Sequence, residues 1–284
     1  MPKYTTALKV QQQLGIPTAF SNSTTPSLAT VNNIIEEAED YIDQVTQHSW
    51  KSKKSDIEFH DIKYYYRYLT GVPINLKHRQ IKPFDATKDD MLRVWNGSSY
   101  EDLLSSYKEG RGEDYWIDYE RGIVWLRSFI WLTRPMGLQA RYRYGGDKTT
   151  LINKTGGIAS NDTTIPVDST EGWPESGWFR IEDEEIIYTG KTATAFTGCT
   201  RGAYGTTATT HPDKAEVYWL PRNIERIATK LACVMLIENL DDRSVLLPEG
   251  TSNVPLLEKA ARWREEVNQE LETIKEFRVI ETQI

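Results

Sequence analysis

Cysteine is scarce in this chain of 284 residues, which contains only Cys199 and Cys233. Two cysteines cannot build a disulfide framework or a cysteine-rich zinc site, and such scarcity is typical of a reducing compartment. The four histidines also lack the His-x-x-x-His spacing of metal ligands on a helix. We therefore predict no metal site and no cofactor.

Long hydrophobic runs are absent as well. The longest apolar stretch, LACVMLI at 231–237, is far shorter than the roughly 20 residues that cross a bilayer. The beginning of the chain, MPKYTTALKV, lacks the apolar core of a signal peptide. These features predict a protein that is made in the cytoplasm and has no membrane partner.

Positive charge is in deficit, because 34 lysines and arginines stand against 41 aspartates and glutamates. The net charge of -7 argues against a protein that wraps nucleic acid tightly. What the sequence does contain is apolar material, since hydrophobic residues make up 39% and aromatic residues 11%. This composition excludes a wholly disordered chain and predicts folded domains with hydrophobic cores.

The segment FTGCTRGAYGTTATTH, residues 196–211, is glycine-rich without matching a phosphate-binding motif. No lysine follows its glycines as in a P-loop, and the Gly-x-Gly-x-x-Gly spacing of dinucleotide sites is missing. We interpret Gly198, Gly202 and Gly205 as positions of left-handed or closely packed backbone. Arg201 is expected to anchor the loop through its guanidinium to carbonyls or to a nearby carboxylate.

No catalytic constellation accompanies this loop. Cys199 and His211 are conceivable as nucleophile and base, but the sequence offers no orienting third residue and no nucleophile motif. Paired carboxylates such as Asp89-Asp90 lie in polar contexts, where nothing indicates a raised pKa. We therefore predict that the chain is not an enzyme.

Apolar residues recur at spacings of three and four near both ends of the chain, which predicts amphipathic helices. A short helix is expected to end at Gly15, and a later one to begin at Pro221. A last long helix is predicted to follow the LLPEG segment. The apolar stripe of the second predicted helix consists of Val31, Ile34, Ile35, Ala38, Tyr41, Ile42 and Val45.

The remaining positions of the second predicted helix are acidic. They include Glu36, Glu37, Glu39, Asp40 and Asp43, and no lysine or arginine occurs from residue 31 to residue 47. The simplest interpretation is a solvated face. A surface that repels DNA, or one that meets a basic partner, stays open as an alternative.

Between Trp50 and Gly146 the pattern changes to the period of two that is typical of strands. Asn96-Gly97 lies between two extended segments and predicts a hairpin with a type I′ turn. A second hairpin is expected to turn near 120–122. We expect these strands to form a small antiparallel sheet or sandwich whose inner face is covered by the helices.

Residues 147–216 show no helical period and are predicted to form a separate all-β module. Within it, Glu182 to Glu185 are expected to form the acidic tip of a hairpin. The predicted fold class is therefore α+β, a helical bundle packed on a small antiparallel β-sheet with an inserted all-β module. Residues 1–146 and 217–284 would form the core, and 147–216 the insertion.

Four motifs follow one another along the chain. They are a helix with IIEEAEDYID, then Trp50, then hairpins ending in RYRYGG, and then a helix with the spacing P-x-x-I-x-x-x-A-x-x-L-A from Pro221. This order resembles the head-to-tail connector, or adaptor, proteins of tailed bacteriophages and related viruses. In that family the strand with the Tyr-x-Tyr-Gly-like signature usually leads at once into the helix. Here residues 147–216 intervene, and they are similar to a small β module of virion structural proteins.

The resemblance implies a structural virion protein of the neck, at the head-tail interface. Its partners would be copies of itself in a dodecameric ring, the portal protein, and neck or tail completion proteins, with genomic DNA only as passing cargo. The acidic helix would be a candidate for the wall of the DNA channel. The family's portal-binding tail would fall here on Phe277, Arg278, Val279, Ile280 and Glu281. Its alternating apolar and polar residues would also suit addition to a sheet edge.

Two other classes of function stay open. A virion protein that binds carbohydrate or a receptor would use Trp173 and Trp178 of the β module as an exposed aromatic platform. Against this, two aromatic residues so close together are more often part of a core. A hydrolase that uses aspartate or glutamate is the other alternative.

Overall fold

The computed structural model describes residues 3–46, 48–63, 71–127, 134–146, 148–239 and 256–274. The chain divides into two compact units. Unit 1 contains residues 1–51 and 148–284, and unit 2 contains residues 52–147. Residues 148–216 thus belong to the same unit as the terminal helices, and their origin as an insertion stays a prediction.

The helices of the described residues lie mainly in unit 1. They are α1 (Ala7–Leu14), α2 (Leu28–Thr46), α3 (Leu103–Ser106), α4 (Arg222–Asn239) and α5 (Leu256–Ile274), with 3-10 turns at Ala86–Lys88 and Ala203–Gly205. The first helix ends at Gly15 as predicted, because this glycine adopts a left-handed conformation with φ of 75°. α4 begins directly after Pro221, which confirms the predicted start.

The helices near the two ends of the chain share one hydrophobic core. α4 packs against α1, α2 and α5, and α2 also packs against α5. Representative buried residues are Val10 of α1, Ile35 of α2, Ala232 of α4 and Val267 of α5. The apolar stripes read from the sequence therefore meet in one body, with one exception. Tyr41 of the predicted α2 stripe is 40% exposed and does not belong to this core, so its predicted place on the buried face is wrong.

Unit 1 also contains the strands that follow residue 148. They are β10 (Thr149–Leu151), β11 (Ile165–Pro166), β12 (Gly177–Ile181), β13 (Glu184–Tyr188), β14 (Gly190–Thr192), β15 (Ala195–Thr197) and β16 (Glu216–Tyr218). Two antiparallel sheets result, with the strand orders β10-β16-β12-β13 and β11-β15-β14. Phe179, Phe196 and other aromatic residues fill their common core.

Unit 2 contains the other strands. They are β1 (Lys53–Lys54), β2 (Glu58–Ile62), β3 (Val72–Asn75), β4 (Met91–Trp95), β5 (Tyr100–Asp102), β6 (Tyr115–Asp118), β7 (Ile123–Leu126), β8 (Arg134–Arg141) and β9 (Arg143–Tyr144). The sheets have the orders β2-β8-β4-β5 and β3-β7-β6, and β1 pairs with β9. Leu92 and Leu138 of the first sheet and Val124 of the second belong to one core.

The predicted fold class is wrong. The described residues contain five helices and 16 strands in five antiparallel sheets, so they are mostly β with few helices. The prediction expected one small sheet covered by a helical bundle. Instead, the strands of unit 2 form two larger sheets that bury their apolar faces in a common core. Sheets that cover each other in this way need no helical layer.

Candidate functional site

The glycine-rich loop 196–211 is shaped by backbone that other residues avoid. Gly198 and Gly202 each have φ of 61°, and Gly205 has φ of 83°. A Cβ atom on Gly198 would lie 2.0 Å from Thr189 Oγ1, so close packing also requires glycine there. The predicted role of these glycines is confirmed.

Arg201 fastens this loop to a buried carboxylate and to backbone carbonyls. Its Nε and Nη2 atoms donate to the two oxygens of Glu184, at 2.8 Å each. Nη2 also donates to the carbonyl of Thr209 at 2.6 Å, and Nη1 donates to the carbonyl of Ala159. A bidentate pair adds a fixed orientation to its strength. The predicted anchoring role of Arg201 is confirmed.

His211 pairs with carboxylates, and Cys199 is a buried thiol. His211 Nε2 lies 2.8 Å from Glu184 Oε2, and Nδ1 lies 3.2 Å from Glu182 Oε2. Both ring nitrogens therefore contact carboxylates of the neighbouring hairpin. Burial raises the pKa of the Cys199 thiol to about 11. A thiol with this pKa is protonated at neutral pH and is a poor nucleophile.

The hairpin of β12 and β13 turns between residues 181 and 184, close to the predicted acidic tip. The side chain of Glu182 is 61% exposed, but Glu184 and Glu185 are buried. The predicted hairpin tip is therefore confirmed in position, and two of its four acidic residues are buried. Arginine side chains neutralise them, Arg201 at Glu184 and Arg180 at Glu185, and burial costs less for a paired charge.

Glu185 belongs to a cluster of charges that joins the strands of unit 1 to its helices. Arg180, which is fully buried, donates to Glu185 Oε1 at 2.6 Å and also to Glu225 of α4. Lys9 of α1 contacts both carboxylates, and Arg222 Nη2 lies 2.8 Å from Glu185 Oε2. Burial alone would raise the pKa of Glu185, but its pairing with Arg222, Arg180 and Lys9 lowers that pKa to about 2. Glu185 is therefore ionised at neutral pH.

Arg222 extends from this cluster to the surface, where it lies between two aromatic rings. Its guanidinium carbon is 3.6 Å from the ring centroid of Trp178 and 4.4 Å from that of Tyr204. The side chain of Arg222 is 39% exposed, and Tyr204 is 60% exposed. We name Trp178, Tyr204 and Arg222 together the Arg222 surface. The three residues are far apart in the sequence, so no local pattern reveals it.

The two tryptophans of the β module do not form an exposed pair. Trp173 is 4% exposed and packs in the core with Phe179 and Phe196. Trp178 is partly buried against the helical core of unit 1, and Arg222 covers one face of its ring. The aromatic platform expected for carbohydrate binding therefore lacks Trp173.

The acidic residues of α2 lie in two different environments. Three are exposed, namely Glu36, Glu37 and Asp40. Glu39 is 2% exposed and accepts hydrogen bonds from the backbone N–H of Tyr4 and from Lys51 Nζ. Burial raises the pKa of Glu39, although Lys51 opposes the shift. Asp43 accepts a hydrogen bond from the Tyr4 hydroxyl. The exposed acidic face of α2 thus consists of Glu36, Glu37 and Asp40.

The predicted portal-binding tail lies outside the described residues. Phe277, Arg278, Val279, Ile280 and Glu281 all follow Ile274, where the description of α5 ends. Their predicted role stays a prediction.

Unit 2 contains a polar network that the sequence analysis missed. Glu58 is 2% exposed and accepts a hydrogen bond of 2.9 Å from the Tyr142 hydroxyl. His60 Nε2 lies 2.9 Å from one oxygen of Glu58, and His78 Nδ1 lies 3.6 Å from the other. Burial alone would raise the pKa of Glu58, but the hydrogen bond with His60 and the nearby imidazole of His78 help to hold that pKa well below its usual range. Glu58 and His60 are two residues apart on β2, so their side chains lie on the same face of the strand. This spacing is the sequence signal for their contact.

Neither metal-binding nor membrane-spanning features are found in the part of the chain that the structure describes. Within the ranges given above, no group of three or more His, Cys, Asp or Glu side chains could hold a metal ion. No helix in those ranges is long and apolar enough to cross a membrane.

Comparisons with known proteins give no family for this chain. No protein-family model matches it, and no curated protein matches it.

Proposed function

We propose that this chain is a structural head-to-tail connector of a tailed bacteriophage or related virus. Copies of it would form a ring on the portal vertex, extend the DNA channel and dock neck or tail proteins. The observation that carries the proposal is the shared core of α1, α2, α4 and α5. It unites helices from both ends of the chain, in the order in which the connector-like motifs occur.

The proposed role is mechanical and includes no catalytic step. A ring requires contacts between two different surfaces of the same chain, repeated until the ring closes. Genomic DNA would pass through the ring without stable binding. The net charge of -7 suits this role, because a protein that carries excess negative charge does not attract a polyanion.

The portal contact is proposed to use the segment after α5. In Phe277–Ile280, apolar side chains flank Arg278, and Glu281 follows. An extended segment of this kind can add a strand to an exposed sheet edge of another protein or fill an apolar groove. The portal protein would supply that edge or groove.

Deleting residues 277–284 tests this proposal. We expect the melting temperature of the truncated chain to stay close to that of the full chain, because the core residues that the structure describes all precede the deletion. We expect its capture by the portal protein of the same virus to weaken by about tenfold or more, since interface anchors dominate binding. Thermal unfolding and a pull-down titration measure the two quantities.

A Gly/Ser segment of equal length in place of residues 277–284 serves as the matched control. It keeps the chain length and removes the apolar side chains, so it is expected to behave like the deletion. Unimpaired capture by either variant would contradict the assignment of the tail.

A further inference from the structure

A cavity lies between the loop that precedes β12 and the turn from β14 to β15. Its volume is about 450 Å³, within the range of about 300–1,000 Å³ that is typical of sites for small ligands. Polar side chains dominate its described lining, which consists of Ser169, Thr170, Glu171, Glu175, Lys191, Thr192 and Ala193. The cavity therefore uses other residues than the helical core and the tail of the proposed connector function.

Hydrogen bonds hold the two walls of the cavity together. The N–H of Thr170 donates to the carbonyl of Ala193 at 3.0 Å, and the Thr170 hydroxyl donates to the carbonyl of Thr192. Trp173 anchors the same loop, because its ring is 4% exposed and packs against Phe196 in the core. A site that is already ordered binds a ligand without the entropy cost of ordering itself.

Lys191 has a fixed position at the cavity. Its Nζ atom donates to the carbonyl of Trp173 at 2.5 Å and to that of Thr170 at 3.3 Å. Nζ also lies 3.9 Å from Glu175 Oε1, which is too far for a direct hydrogen bond. A hydroxyl group between these two atoms can accept from the ammonium and donate to the carboxylate. The geometry thus leaves room for one bridging hydroxyl.

The lining also restricts the charge of a ligand. The carboxylates of Glu171 and Glu175 disfavour an anion such as phosphate, and the Lys191 ammonium disfavours a metal cation. Neutral hydroxyl groups suit both kinds of side chain, because each hydroxyl is a donor and an acceptor. Ser169 and Thr192 add hydroxyl groups of their own. The lining therefore matches a neutral ligand that carries several hydroxyl groups.

We infer that this cavity binds a neutral saccharide unit, with one sugar hydroxyl bridging Lys191 Nζ and Glu175. This binding activity goes beyond the proposed connector function. It does not use the pair of exposed tryptophans that the sequence predicted for carbohydrate binding. Trp173 instead acts through its backbone carbonyl, which positions Lys191.

Replacing Glu175→Ala in the full-length chain tests the inference. The Glu175 side chain is 86% exposed, so we expect an unchanged melting temperature. The probes are the methyl glycosides of glucose, galactose and mannose, in saturation-transfer NMR titrations. We expect the wild type to bind at least one of them, and the variant to bind it about tenfold more weakly or worse, because a hydrogen bond to a charged group is lost.

Glu182→Ala is the matched control. Glu182 is an exposed carboxylate of the same strands, at 61%, but it does not line the cavity. This variant is expected to bind the glycoside like the wild type. Glycerol and inorganic phosphate are titrated in parallel. Glycerol binding as tight as that of the best glycoside, or binding of phosphate alone, would overturn the assignment of a saccharide.

Lys191→Met tests the bridging hydroxyl itself. This variant is expected to lose stability, since the carbonyls of Thr170 and Trp173 lose a donor, so the comparison uses binding. Combined with Glu175→Ala, it should weaken glycoside binding little more than the stronger single change, because both act on one hydroxyl.

Additive losses in the double variant would overturn the inference. So would a wild type that binds none of the three glycosides, or a Glu175→Ala variant that binds like the wild type. The connector function is tested by the tail and portal capture, so it stands or falls independently of these results.

Discussion

At the scale of single residues, Glu184 shows how one carboxylate can organise a loop. Its side chain is 1% exposed and pairs with Arg201 and His211. It also accepts backbone N–H groups from Gly202 at 2.9 Å and Thr209 at 3.1 Å. Burial alone would raise the pKa of Glu184, but His211, Arg201 and these N–H groups lower it to about 2.

Glu184→Gln is expected to destabilise unit 1 by about 3 kcal/mol at pH 7, because it leaves Arg201 buried without a counter-charge. Since the folded pKa is depressed, the carboxylate stabilises the fold above its ordinary pKa of 4.5. This contribution is lost as the pH falls from 4.5 towards about 2. The stability difference between wild type and variant should therefore shrink across this range. Urea unfolding at several pH values measures it.

Glu182→Gln is the control for this prediction. Glu182 contacts the same histidine, but its side chain is 61% exposed. We expect a change within about 0.5 kcal/mol, as for most surface substitutions. Equal losses in the two variants would show that burial of Glu184 is not the cause.

At this scale the sequence predicted Arg201 as the anchor of the loop but did not identify Glu184 as its partner. The spacing of glycines around Arg201 indicated a loop that needs an anchor. The burial of Glu39, Glu184 and Glu185 could not be predicted. The cations that neutralise them, among them Lys51, Arg201 and Arg180, lie elsewhere in the sequence and meet them only in the fold. Consecutive acidic residues look solvent-exposed until the fold brings a cation to each of them.

At the scale of elements, α1 illustrates how short signals define a helix. Thr6 caps its beginning, where the hydroxyl accepts the N–H of Lys9 at 3.3 Å. Gly15 ends it, and its N–H donates to the carbonyls of the last turn. Val10 and Leu14 are then placed on the face that packs in the helical core.

Gly15→Ala is expected to cost about 1 kcal/mol, because alanine is strained at φ of 75°. A Cβ atom would meet nothing within 4 Å there, so sterics beyond the backbone do not contribute. Gly112→Ala is the matched control, since its Cβ would also meet nothing and its φ is not left-handed. Chemical denaturation should show a loss for the first variant only. Gly15→Asn is expected to lose less, because asparagine tolerates this conformation.

The hairpin at Asn96 shows where element prediction is limited. Its position is confirmed, since β4 and β5 pair with Trp95 opposite Tyr100. The predicted type I′ turn is wrong, because four residues connect the paired strands and Asn96 does not have the positive φ that this turn requires. The Asn96 side chain accepts the N–H groups of Ser98 and Ser99 at 2.8 and 2.9 Å, which stabilises the longer turn. The Asn-Gly pair alone could not distinguish a type I′ turn from this longer turn.

At the scale of the whole molecule, the number of strands decides the fold class. Periodicity identified the terminal helices and the strands near 95, 117 and 140 correctly. It did not predict how these strands divide into sheets, because that depends on pairings such as β2 with β8, which join distant segments. The helical bundle was consequently given too large a share of the fold.

A fragment of residues 52–147 is expected to fold by itself, because unit 2 has its own core, built from both of its larger sheets. Its circular dichroism should show β-structure, with a cooperative thermal transition. A fragment of residues 148–220 is the contrasting case. It lacks Lys9, Arg222 and Glu225, so Arg180 and Glu185 lose most of their partners, and it should unfold at a clearly lower temperature. A non-cooperative 52–147 fragment would contradict the division.

The pairing of β1 with β9 has a consequence for protein engineering. Lys53 lies opposite Tyr144, so the chain enters and leaves unit 2 at neighbouring points about 5 Å apart. A domain with adjacent ends can be removed and replaced by a short linker, or inserted into a loop of another protein. Neither change needs a large displacement of the remaining chain or of the recipient protein. We therefore expect that residues 52–147 can be transferred to another protein as one domain.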